Sequence, residues 1–109
     1  MKKIDGKELK KKIQAKSRLV DIDSPDEFKR SHIANSINIP YNEKDFVSKM
    51  KKTAPSHSDE VVLCSKPNNS KQAYSAGEKL EKEGYKNVYA HTLGQTDWKK
   101  SGVEIVEFR

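Results

Sequence analysis

Hydrophobic positions along the chain fall into short blocks, and the spacing within each block predicts its element. Leu9 and Ile13 lie four residues apart in the polar stretch from Lys7 to Gln14, which puts both on one face of a helix. "RLVDI", residues 18–22, is an apolar run of strand length. "SPDEF" then opens a helix: Ser24 can cap it, Pro25 suits its first position, and Glu27 can complete a capping box. Ile33 to Ile39 reads as a second strand, ended by Pro40. Asn42 is placed to cap the next helix and Tyr41 with Phe46 to staple it, and Phe46, Val47 and Met50 form its buried stripe. "TAPSHSD", residues 53–59, is rich in turn formers.

The run "EVVLC", residues 60–64, does not alternate and reads as a strand covered on both faces. A helix follows with Ala73, Ala76, Gly77 and Leu80 at helical spacing. Three of the four are small, so this helix lies close to a sheet. Gly84 suits a left-handed C-cap. "NVYA" makes another strand, a short helical turn surrounds Trp98, and Gly102 precedes a last strand from Val103 to Phe108. Strands alternating with helices predict an α/β fold, a small mostly parallel sheet with helices on both faces. Ligands bind such sheets beyond the carboxyl ends of the strands. Asp23, Cys64 and the segment His91 to Gly94 fall at such ends and are expected to converge on one edge.

Composition narrows the classes. A length of 109 residues fits one domain, 1–109, with a real but small core. Charged residues make up 35% and hydrophobic residues 33%, and the grouping of the apolar positions argues against disorder. The net charge of +6 comes from lysines spread along the chain, with arginine only at positions 18, 30 and 109. The densest run, Lys10 to Lys12, is the solvated face of the first helix, so no nucleic-acid partner is expected. A small anionic substrate or partner is compatible with the charge. No apolar leader and no long apolar stretch are visible, so neither a signal peptide nor a membrane span is expected, and the lone cysteine fits a cytoplasmic chain. His32, His57 and His91 are isolated, which predicts no metal site, and no cofactor is expected. His32 is expected to be a structural hydrogen-bonder and His57 a surface residue. His91 falls near the site edge with a surface position as the default, and Trp98, Tyr85 and Phe46 belong to the core.

Cys64 ends its apolar run, and six polar or turn-forming residues, Ser65 to Ser70, separate it from the next helix. A thiol reacts as its thiolate. A helix N-terminus facing the sulfur and the neighbouring Lys66 both favour that form, whereas Asp23 opposes it if it lies beside the loop. The loop can curl so that its N–H groups surround an anion, one donor short because of Pro67. Ser65, Asn68 and Ser70 either donate to a substrate or shape the turn. On spacing alone, a reactive thiol and a buried inert one fit equally well.

Three segments, "LVDIDSPDEFKRSHIANSINIP", "VVLC" with its polar loop, and "LEKEGYKNVYAHTLGQTDWKKSG", together resemble the rhodanese-like (sulfurtransferase) domain from about Leu19 to Val106. The resemblance implies sulfur transfer in two covalent steps. The Cys64 thiolate takes a sulfane sulfur from thiosulfate or polysulfide and hands it to cyanide or a thiol, a protein thiol included. It makes Cys64 the nucleophile and Ser65, Lys66, Asn68, Asn69 and Ser70 the substrate-binding loop. The chain also departs from the family pattern. Asn69 and Pro67 stand in a loop where many active relatives carry Arg and Gly, Asp23 stands where the strand often ends in Arg, and Leu93 replaces one Gly of a frequent pair. The longer span from Cys64 to Tyr85 resembles a subgroup with an extended loop that often holds a second cysteine, near Asn69 or Ser70 here. These departures keep a second reading open, a non-catalytic rhodanese-like binding or regulatory module. Phosphatases of this fold place Arg where Ser70 stands, which argues against phosphoryl transfer. A redox sensor would lack a resolving cysteine.

Overall fold

The structure, a computed structural model, describes residues 1–42 and 44–108. In chain order its elements are β1 (Lys2–Lys3), α1 (Gly6–Gln14), β2 (Arg18–Asp21), α2 (Pro25–Arg30), β3 (Ser31–Ile33), β4 (Ile37–Asn38), α3 (Phe46–Thr53), β5 (Glu60–Cys64), α4 (Ser70–Lys82), β6 (Asn87–His91), α5 (Gly94–Lys100) and β7 (Ile105–Glu107). One sheet has the order β1-β6-β5-β2-β4, and all its pairings are parallel. The α/β expectation of a mostly parallel sheet with helices on both faces is met.

β5 lies at the centre, and its period-2 alternation divides the core into two layers. Val61 and Leu63 pack with Phe46, Met50, Ala73, Ala76 and Leu80 under α3 and α4. Val62 and Cys64 pack with Leu9 and Trp98 under α1 and α5. A strand buried on both faces must be apolar throughout, which is why "EVVLC" shows no alternation. The small residues of α4 are its buried set, Ala73, Ala76 and Gly77 with Leu80. Among the described residues no helix is long and apolar enough to cross a membrane.

The local chemistry read from the chain is largely realised. Ser24 and Glu27 form both halves of a capping box at the start of α2, with Pro25 in its first turn. α4 ends in a Schellman arrangement, in which Gly84 takes φ +101° and the N–H groups of Gly84 and Tyr85 donate to the carbonyls of Glu81 and Leu80. His57 is exposed, and His32 Nδ1–H donates to the Phe28 carbonyl at 2.7 Å. Phe46, Tyr85 and Trp98 are buried.

Three readings need correction, and one strand was missed. The segment Ile33 to Ile39 is not one strand: Asn35 turns left-handed at φ 68° and splits it into β3 and β4. The N-cap of α3 is Asp45, not Asn42, and no side chain caps it, although Tyr41 and Phe46 do meet edge to face at 5.4 Å. The last strand spans only Ile105–Glu107 and lies outside the parallel sheet, antiparallel to β3. β1 carried no sequence signal, being two exposed lysines held by backbone pairing to β6.

Candidate active site

Parallel register brings the expected pieces together. Asp21 pairs with Cys64, and Cys64 with His91, so three strands end side by side at the carboxyl edge. Asp23 lies just past β2, and a single 3-10 turn, Pro67–Asn69, carries the chain from β5 into α4.

Cys64 itself is 1% exposed and faces the α1/α5 layer of the core. Burial pushes its thiol well above the ordinary cysteine range, and the nearby carboxyls of Asp21 and Asp23 push it further. Of the reactive and the buried thiol that the spacing left open, the closed structure shows the buried one. The cation expected to favour the thiolate, the Lys66 ammonium, is spent elsewhere: it contacts Asp23 Oδ2 at 3.4 Å and donates to the carbonyls of Glu27 at 2.9 Å and Ser31 at 3.2 Å.

Nor does the loop form an open anion cradle. The Ser65 N–H donates to the His91 carbonyl, Asn69 N–H to the Lys66 carbonyl, and Ser70 N–H to the Pro67 carbonyl. The Lys66 N–H already holds an anion, because it donates to both oxygens of Asp23 at 3.2 Å. Asn69 Nδ2 donates to Asp23 Oδ1 at 2.7 Å and to Glu27 Oε1 at 3.0 Å. Asn68 Nδ2 reaches Glu27 Oε2 at 3.5 Å. Burial raises the Glu27 carboxyl, but hydrogen bonds from Asn69, Ser24 and Asn68 outweigh it and hold Glu27 below the usual range. Of the loop residues, Ser65 is buried with its Oγ unpaired among the described residues, Asn68 is exposed, and Ser70 is the first residue of α4.

Asp23 is the hub of this arrangement and is fully buried. Its own N–H donates to Asp21 Oδ1 at 2.9 Å, and Asn38 Nδ2 donates to its carbonyl at 2.9 Å and to that of Asp21 at 3.0 Å. Asp21 Oδ2 is buried with no partner among the described residues. Burial, then the Asp23 charge, pushes the Asp21 carboxyl up to about 8, so Asp21 carries a proton at neutral pH.

His91 corrects another default. It is fully buried rather than on the surface. Trp98 Nε1–H donates to its Nδ1 at 3.2 Å, and an indole can only donate, so the proton sits on Nε2 and is given to Asp97 Oδ2 at 2.7 Å. Asp97 and Trp98 follow one turn into α5, a spacing that becomes informative only once β6 and α5 are known to be adjacent in space.

Gly94 brings α5 against the loop. It takes φ +72°, and a Cβ there would meet Pro67 Cδ at 2.7 Å. Gly94→Ala combines left-handed strain with that clash, so it is expected to cost about 2 kcal/mol in urea denaturation. An alanine as stable as wild type would mean that the loop yields freely there.

The comparisons agree with the geometry. The family profile described as the rhodanese-like domain matches residues 5–101. A rhodanese-related protein from Thermoplasma volcanium superposes with a TM-score of 0.76 at 25% identity, covering 97% of this chain and 98% of that one. The thiosulfate sulfurtransferase from Pseudomonas aeruginosa gives a TM-score of 0.81 at 17% identity over 98% of this chain but only 20% of its own length. A rhodanese from E. coli, solved with anions, gives 0.65 at 23% identity over 84% of this chain and 99% of that one. No curated protein sequence matches the chain. With most of its length matched by one family profile, the chain belongs to the rhodanese-like domain family.

Proposed function

We propose that the chain transfers sulfane sulfur through Cys64, from a loop that must open first. Position carries this reading. Cys64 ends the central strand at the carboxyl edge of a parallel sheet, immediately before the turn into α4. Family membership supports the chemistry, in which the thiolate attacks the outer sulfur of thiosulfate or a polysulfide, holds it as a persulfide and passes it to an acceptor thiol. The closed loop is then a resting form, held by Asp23 and Glu27 together with the Ser31 carbonyl through Lys66 and Asn69. Opening would return water to the sulfur and relieve the burial that is the first cause of its raised pKa.

The same burial favours a second reading, a non-catalytic rhodanese-like module in which Cys64 is a core residue. Intact-mass spectrometry separates the two. Reduced protein is incubated with thiosulfate, with inorganic polysulfide and with an organic hydropersulfide, beside Cys64→Ser. One added sulfur on the native chain, removed by cyanide or dithiothreitol and absent from the variant, is the expected result. A native mass unchanged under all three donors, with Cys64 alkylated slowly at neutral pH, retires the enzyme and leaves the module.

A further inference from the structure

This inference rests on sulfur transfer through Cys64 and narrows its donor. The Asp23 carboxylate draws together one loop N–H, one ammonium and one side-chain amide, from Lys66 and Asn69. Those are the groups with which the loop would bind a substrate anion. Glu27 adds a second carboxylate at the rim, gripping the same Asn69 and reaching Asn68. The one cation among these groups, Lys66, is shared between Asp23 and two backbone carbonyls. Two carboxylates against one ammonium leave the loop that follows Cys64 with a net negative charge, on a chain whose net charge is +6.

We infer that Asp23 is a specificity-determining residue: its carboxylate occupies the donors an anionic sulfur donor needs, so the site takes sulfur from an uncharged or cationic organic persulfide and turns thiosulfate away. A hydropersulfide R–S–SH is attacked in its protonated, uncharged form. Cys64 Sγ forms a bond to the outer sulfur while the donor's S–S bond breaks. The electron pair leaves with the inner sulfur, which takes up the proton given up by Cys64. The products are the Cys64 persulfide and R–SH, and no outside oxidant or reductant is needed. Thiosulfate would instead bring two negative charges to Asp23 and Glu27 and leave as sulfite, a second anion to be accommodated by the same occupied donors.

The test compares the rate of sulfur loading on Cys64 by cysteamine hydropersulfide, which carries an ammonium, with loading by thiosulfate at equal concentration. The wild type is expected to favour the cationic donor at least tenfold. Asp23→Asn, isosteric but uncharged, is expected to narrow that ratio mainly by gaining with thiosulfate. Wild type needs no variant for a second readout: its preference should shrink as salt is raised. Equal loading by both donors, a ratio unchanged in Asp23→Asn, or a preference indifferent to salt overturns the assignment of Asp23 while leaving sulfur transfer intact. A Cys64 that neither donor loads, in either protein, overturns sulfur transfer and this inference together.

Discussion

Asp21→Asn is expected to stabilise the folded chain at pH 7 by about 3 kcal/mol, an unusual sign for a buried substitution. The Asp21 carboxyl has a pKa of about 8 in the fold, raised by burial and by Asp23. In the unfolded chain an aspartate titrates near ~3.9. Between those two values the folded state binds a proton that the unfolded state does not. Stability therefore falls as pH rises through that window, by at most ~1.4 kcal/mol per unit, and the loss is complete only above the folded pKa. At pH 7 most of the window has been crossed. Asparagine is neutral throughout, and its carbonyl oxygen can still accept the Asp23 N–H that Asp21 Oδ1 accepts at 2.9 Å. Urea denaturation of both proteins at pH 5 and pH 8 gives the check. The wild type should lose stability between the two, and the variant should lose much less. Parallel losses would show that Asp21 is already ionised in the fold.

Trp98→Ala is expected to cost about 4 kcal/mol. Trp98 is among the largest fully buried side chains and fills the layer between α1, α5 and the sheet with Leu9, Leu19, Val62 and Cys64. Its removal also strands His91 Nδ1, which accepts the indole N–H at 3.2 Å in the interior. Trp98→Phe keeps much of the ring volume and should cost about half as much, mostly through that orphaned acceptor. Guanidinium unfolding of the two variants separates volume from hydrogen bond. A Trp98→Phe protein as unstable as Trp98→Ala would assign the loss to the hydrogen bond, and one as stable as wild type would assign it to volume. Because Cys64 lies in the same layer, the alanine variant should also alkylate faster at the thiol.

What could be read ahead of the structure was whatever depends on local rules. Ser24 and Glu27, Gly84, the two-faced "EVVLC" and the small-residue face of α4 each carry a short-range signature, and each appears as read. β1 had none, because two exposed lysines carry no apolar pattern and pair with β6 through their backbone. Asn35 hid a break, since asparagine adopts the left-handed turn without the glycine that usually announces one. The convergence of Asp23, Cys64 and His91 followed from the rule for parallel sheets. The state of the thiol did not. It is set first by the burial of Cys64 and then by the Asp21 and Asp23 carboxyls, which come together around the sulfur only in three dimensions. His91 was misjudged for the same reason, as its two partners come from the next helix.

The order β1-β6-β5-β2-β4 also says something about timing. β2 joins β4 and β5 across modest stretches of chain, so this half of the sheet can nucleate early. β1 waits for β6, which lies near the other end of the described chain, and its backbone pairing there spans two residues, extended by the Ile4 N–H to the Ala90 carbonyl at 2.9 Å. Closing so long a loop for so few hydrogen bonds makes this the last seam to form and the first to part. Until it closes, β6 is an edge strand, and the unfinished fold is most exposed to mispairing along that side.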